Sequence, residues 1–259
     1  MGRRRGEPEP IATAGELTVL RDRARPSGRL LRQGEMEASY VDLADARHLE
    51  FDYLRRMRDL VAAAGARRVV HVGGAGCALA RALAAAAPSA RQEVIELDPG
   101  VVELARRHLG LRRAPGLRVR VGDGRALLAR RPDGSADAVL VDAFVGARVP
   151  RHLVTAEALR DLARVARLAA VNVVDTKPLS DAAAIAAGLA SAFPFAYALG
   201  ASAVLAKRRG GNVVLAGSHD PLPLDRLRAR AAADRSPGAV LGPEEMPTFV
   251  GGLPRWRDA

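Results

Sequence analysis

Three carboxylates fall at the ends of consecutive apolar runs after a glycine-rich turn. Together they suit a ligand bearing hydroxyls and an amine better than one bearing a phosphate. The turn lies in VVHVGGAGCALARAL (69–83), where 69–72 reads as a buried strand and 78–83 as a helix. Gly73, Gly74, Ala75 and Gly76 therefore stand at a strand-to-helix junction, where a ligand reaches bare backbone at a helix N-terminus. Phosphate grips fail on the residues. A P-loop needs Gly-Lys-Ser/Thr, and a dinucleotide fingerprint starting at Gly74 needs glycine at 79, where Leu79 stands. The next strand closes in EVIELDPG, placing Glu96 and Leu97 where a carboxylate can accept from both ribose hydroxyls. A third strand ends in GDG, with Asp123 and Gly124 placed for an exocyclic adenine amine, and a fourth ends in LVDAF with Asp142. Open α/β sheets bind ligands at these carboxyl ends. The four features in order describe a nucleoside site without phosphate recognition, the S-adenosylmethionine type. Asp98 and Asp123 also stand where helix N-caps stand, and that second role remains open.

Alternating elements must carry these residues. Strands are expected at 67–72, 92–97, 117–121, 137–142 and 168–174. Helices are expected near 48–64, 77–87, 99–108, 124–130, 155–166 and 179–192. This alternation predicts an α/β fold, a doubly wound, Rossmann-like sheet of the class I methyltransferase type, closed by an antiparallel hairpin over 201–217 around Gly210–Gly211. Ahead of it, ELTVL, RLLRQ and MEASYVD read as short strands of a small β-domain. The expected boundaries are a disordered tail over 1–15, the β-domain over 16–47, the nucleoside-binding domain over 48–235 and a C-terminal tail over 236–259.

Composition narrows the classes. The chain has 259 residues, 49% of them apolar, enough for a sizeable core. No apolar run is long enough to span a membrane, the early arginines lead into GEPEP, and a cytoplasmic protein is expected. Net charge is +11, yet all but Lys177 and Lys207 of the 40 basic residues are arginines, scattered among only 3% aromatics. That pattern fits a merely basic surface rather than specific nucleic-acid recognition. The lone Cys77 leaves no internal disulfide and no cysteine metal cage, and the five histidines lack paired metal spacing. His71 lies inside the first strand and reads as a core residue. Cys77, at a helix start where a thiol pKa can fall, reads as small-residue packing.

Residues 29–217 resemble the polyamine aminopropyltransferases, the spermidine and spermine synthase family. The resemblance is carried by LLRQGEMEASYVDLADARHLEFDY, with Gly34, Glu50, Phe51 and Tyr53 in matching places, and by IELDPGVVELARRHL, VRVGDGRALL and ADAVLVDAF. It implies Glu96 as the ribose ligand, Asp123 and Gly124 in the adenine segment, and Asp142 as the catalytic base. It further implies decarboxylated S-adenosylmethionine as co-substrate, an amine acceptor, no metal, and a homodimer.

The departures lie on the amine side. The family's glycine-turn aspartate is Gly76 here, and the second acid after the catalytic aspartate is Val145. Its glutamine after the β-turn is Glu37, the glutamate two beyond the tyrosine is Arg55, and the glutamine after strand five is Asp175. These changes predict an arginine facing the pocket and poor activity on putrescine, with a bulkier, less charged or differently spaced amine preferred. Acids over 35–52 either rebuild a cation pocket by another route or form a solvated face. Phe144, in the loop AFVGARVPR, is placed to exclude water, with Gly146 as a hinge. The alternatives are a methyltransferase using intact S-adenosylmethionine, or a repurposed, non-catalytic nucleoside-binding protein.

Overall fold

The computed structural model describes residues 9–111, 114 and 116–258. Four strands, β1 (Glu9–Ala14), β2 (Leu17–Arg21), β3 (Gly28–Gln33) and β4 (Met36–Asp42), make an antiparallel meander. In this sheet Leu17, Val19, Leu31 and Val41 turn inward onto the main core, the period-2 pattern of a half-buried sheet. β1 corrects the expectation of a disordered tail: 9–14 pair along the edge of β2, from Glu9 opposite Arg21 to Ala14 opposite Leu17. A register shift accommodates Pro10, and Ile11 and Ala12 pack on the core. Residues 1–8 of that expected tail lie outside the described residues.

The larger unit runs α1 (Asp52–Ala63), β5 (Arg68–Gly73), α2 (Ala78–Ala86), β6 (Arg91–Glu96), α3 (Pro99–His108) and β7 (Leu117–Val121). It continues with α4 (Gly124–Ala129), β8 (Ala136–Asp142), α5 (Ala156–Val165), β9 (Ala166–Asp175) and α6 (Ser180–Ala192). Then follow β10 (Phe195–Gly200), α7 (Ser202–Leu205), β11 (Gly211–Ser218), α8 (Leu224–Ala233), β12 (Ala239–Leu241) and α9 (Met246–Val250). The sheet order is β12-β10-β11-β9-β8-β5-β6-β7; β7, β6, β5, β8 and β9 are parallel and the remaining three antiparallel. Successive residues of β5 serve opposite faces. Val69 joins a core with α1, α2 and α3, while Val70 and Val72 join one with α4, α5 and α6. Helices on both faces make the fold doubly wound, as the alternation predicts.

Two C-terminal expectations are corrected. The hairpin partner of β11 is β10, not a strand within 201–210, because Val204 and Leu205 are buried on one turn of helix between the two strands. Nor is 236–258 a free tail. β12 extends the sheet along β10, Met246 and Phe249 are buried, and the Ala156 N–H donates to the Trp256 carbonyl at 2.7 Å.

Arg55 is the third correction. It does not face the cavity; it is buried between α1 and the end of α8. There its guanidinium donates twice to Asp234, at 2.7 and 2.8 Å, and twice to the Leu49 and Glu50 carbonyls, at 3.0 and 2.7 Å. A buried cation loses far more when its partner is removed than the pair itself contributes. Asp234→Ala is therefore expected to destabilise the protein by about 3 kcal/mol in urea unfolding, and Arg55→Met combined with Asp234→Leu to recover most of that loss.

Candidate functional site

At the point where the parallel strands reverse direction of winding, between β5 and its neighbours β6 and β8, a cavity of about 790 Å³ opens at the carboxyl edge of the sheet. Gly73, Gly74 and Ala75 form part of its wall. The turn is held in left-handed backbone, with φ of 77° at Gly73, 99° at Gly74, 45° at Ala75 and 58° at Cys77. Two non-glycine residues in that region mark stored strain, of the kind found at ligand sites. A Cβ on Gly73 would stand 2.5 Å from the Asp142 carbonyl, so only glycine lets the turn meet the end of β8. Gly76 behaves differently. It lies outside the cavity wall, and a Cβ there would run into Ser39 Oγ at 2.7 Å. A longer side chain at 76 has no room in this packing.

Asp142 sits within reach of the cavity but otherwise surrounded by protein. Burial raises its carboxyl to about 6, against hydrogen bonds from Asn172 and Tyr53 that favour the ionised form. Asn172 Nδ2 donates to Oδ1 at 3.0 Å and Tyr53 Oη donates to Oδ2 at 3.3 Å. Tyr53 stacks on Phe51, with ring centres 5.9 Å apart, and its own phenol is held well above the ordinary range by burial and by Asp142. The result is a carboxylate of fixed orientation, poised near neutral pH to accept a proton.

Glu96 lies further along the same edge. Its Oε1 accepts from the Asp98 N–H at 3.2 Å. Burial pushes its pKa up, opposed by the N–H groups of Asp98, Leu97 and Ala75, so the glycine turn and the glutamate hold each other. Both open roles for Asp98 and Asp123 are resolved in favour of capping, without removing either residue from the wall. Asp98 Oδ1 accepts from Gly100 N at 2.7 Å and Asp123 Oδ1 from Ala126 N at 2.7 Å. The other oxygen of Asp123, Oδ2, lies 3.4 Å from Nε2 of His152, a second wall residue.

Four further acids line the cavity. Glu16 and Glu37 come from the N-terminal sheet and its first turn, and Glu50 and Asp52 from the start of α1. Of the acids over 35–52, Glu35, Asp42 and Asp45 do not line the cavity. Among the described residues no lysine or arginine lines it, although the chain carries a net charge of +11. Leu97, Gly124, Phe144 and Val145 complete this side.

Asp175, expected at the substrate, is turned away from the cavity wall. Its two oxygens accept from Thr176 N at 2.7 Å and Ala182 N at 2.9 Å, holding the start of α6. Sequence reasoning missed Asn172, which has no motif of its own, and Asp98 as a wall residue. Two histidine and cysteine readings fit the structure. His71 is buried against Gln92 at 2.9 Å with burial lowering it to about 4, and burial pushes the Cys77 thiol up to about 12.

Sheet order and site together define a class I methyltransferase-like fold with its ligand crevice at the strand reversal. Comparison with known proteins narrows this. The chain superposes on a probable spermidine synthase from Corynebacterium glutamicum with a TM-score of 0.88 and 26% identity, covering 97% of this chain and 98% of that one. It is 30% identical over 140 residues to a polyamine aminopropyltransferase of Vibrio vulnificus, a match spanning 53% of this chain and 46% of that relative, about half its length. A spermidine synthase in complex with the transition-state analogue AdoDATO shares the fold, with a TM-score of 0.62 at 14% identity, covering 95% of this chain and 80% of that one. No protein-family model matches the chain. The chain is thus similar to spermidine synthases in fold over nearly its whole length, and in sequence over about half of it.

The raised Asp142 pKa has a consequence for stability. The native state binds this proton more tightly than the unfolded chain, whose aspartate titrates near 3.8. Stability therefore falls as pH rises from about 4 through about 6. Asp142→Asn removes the desolvated charge. It is expected to raise stability on the order of 2 kcal/mol at pH 8, the gain fading as the pH falls towards 4, in denaturant melts run across that range.

Proposed function

We propose that the protein is a transferase that moves an aminopropyl group from decarboxylated S-adenosylmethionine to an amine, with Asp142 as proton acceptor. The observation that carries this reading is a buried, oriented carboxylate in a cavity walled by acids and free of lysine and arginine among the described residues. Such a wall suits a cationic acceptor and a sulfonium donor, since desolvated positive charge needs carboxylate partners. It also favours the decarboxylated donor over intact S-adenosylmethionine, whose carboxylate would find no lysine or arginine on the wall among the described residues. The acidic wall, in which Glu50 is shared with Arg235 and Asp52 with Arg56, favours a charged acceptor over a less charged one.

In this reading Glu96 accepts from the ribose hydroxyls, and Asp123 Oδ2 accepts from the adenine amine. The amine lone pair attacks the aminopropyl carbon next to sulfur. The carbon–sulfur bond breaks with its electron pair passing to sulfur, and methylthioadenosine leaves as a neutral thioether. The nitrogen gains a bond and sheds a proton to Asp142. Tyr53 and Asn172 keep the carboxylate aimed, and positioning of two substrates in one cavity supplies much of the remaining acceleration.

Incubation with decarboxylated S-adenosylmethionine and diamines of three to seven carbons, followed by mass spectrometry, tests the reaction. Methylthioadenosine and an aminopropylated amine should form together; methyl transfer from intact S-adenosylmethionine would instead favour the methyltransferase reading. Asp142→Asn should abolish turnover while methylthioadenosine binding is retained. Wild-type kcat/KM should fall about tenfold per pH unit below about 6, because the base is then protonated.

Glu96→Gln should weaken methylthioadenosine binding by roughly 1–3 kcal/mol, the loss of charge-assisted hydrogen bonds, measured by calorimetry. Unchanged affinity in the folded variant would remove Glu96 from the nucleoside site.

A further inference from the structure

Strand β9 is apolar where it crosses the sheet, from Leu168 to Val173, apart from one residue. Asn172 is 1% exposed and stands beside Asp142 across the parallel β8–β9 ladder, whose last paired residues are Val141 and Val171. Its amide is used on one side only. Nδ2 donates to Asp142 at 3.0 Å, while the buried Oδ1 has no hydrogen-bond partner among the described residues, and the side chain forms part of the cavity wall. Orienting Asp142 explains the Nδ2 contact. It does not explain an amide, since a carbonyl oxygen buried without a donor is unfavourable.

We propose that Asn172 Oδ1 is the second acceptor for the attacking nitrogen, and that it makes the site select primary amines. This rests on the transferase reading above. A neutral primary amine offers two N–H donors and one lone pair. With one N–H on Asp142 and the other on Asn172 Oδ1, the lone pair is left for the carbon being attacked. A secondary amine has a single N–H, so it leaves one of the two acceptors unpaired and carries an alkyl group where Asn172 stands. A buried polar site rejects a ligand lacking the matching group more strongly than it rejects a small change in size.

Two measurements test this. The first uses the wild-type protein in turnover, where the attacking nitrogen is neutral: kcat/KM is measured for the best diamine of three to seven carbons and for the same diamine methylated on both nitrogens. The methylated compound should show a kcat/KM at least about tenfold lower. Equal kcat/KM would overturn the proposal without any variant. The second uses Asn172→Leu, of similar volume. Methylthioadenosine affinity should be unchanged, diamine affinity should fall about tenfold, and the preference for the unmethylated compound should vanish. The acid limb of kcat/KM should also move to higher pH, because a donor to the Asp142 carboxylate is gone. A shifted acid limb with diamine affinity and preference intact would leave Asn172 as a positioning residue for Asp142 alone and overturn the proposal. Binding of methylthioadenosine without any diamine would instead overturn the transferase reading, and this one with it.

Discussion

One backbone contact sets the geometry of the site. The Gly74 N–H donates to the Asp142 carbonyl at 2.9 Å, joining the turn after β5 to the end of β8. The approach is possible only because residue 73 has no Cβ and accepts a φ of 77°. From this junction the rest follows in order. The turn's Ala75 N–H reaches Glu96 on one side, and on the other the Asp142 side chain is fixed between Tyr53 and Asn172. Glu96 and Asp142 are thus referenced to the same few backbone atoms. A shift of the turn would move both together.

Electrostatics completes the design by separation of charge. The chain is strongly basic, yet no arginine lines the cavity among the described residues: Arg56 and Arg235 reach it only through the wall acids Asp52 and Glu50, and others are paired elsewhere. Arg55 is paired with Asp234, Arg68 with Asp137, and Arg164 with Asp133 and Asp161. The cavity keeps acids contributed by both sheets and by α1. Asp142 and Glu96 are largely buried and act on a cationic ligand more strongly than the exposed Glu16 and Glu37, while the outer positive charges are screened by salt.

Much of this was legible in the sequence, and the reasons differ by residue. The strand ends carrying Glu96, Asp123 and Asp142 were readable because apolar runs break at a polar residue just where a helix begins. The parallel strands and following helices fall within a residue or two of their expected places for the same cause. β1 was not readable, since EPIATA carries a proline and gains its order only from the edge of β2. Arg55 and Asp175 were misplaced because a motif alignment fixes a position in the chain and not the direction of a side chain. Asn172 was missed for the opposite reason. It is a single polar residue in an apolar strand, and it acquires meaning only when β9 is laid beside β8.

The segment beyond α9 shows how far such a site is supported from a distance. Asp258 accepts from Thr155 Oγ1 at 2.7 Å and from Arg125 Nη2 at 3.2 Å, and Arg125 Nη1 also reaches the His152 carbonyl at 3.3 Å. Thr155 in turn caps α5, and Arg125 lies one residue past Gly124 at the start of α4. The chain after α9 therefore clasps the starts of α4 and α5 together with the turn carrying His152. Asp123 is held from both sides by this arrangement: one oxygen by the N-terminus of α4, the other faced by His152. An acceptor fixed in this way presents its lone pairs in one direction, which a carboxylate free to swing would not. The segment that composition marks as a tail is in this way part of the scaffold that fixes one wall of the cavity.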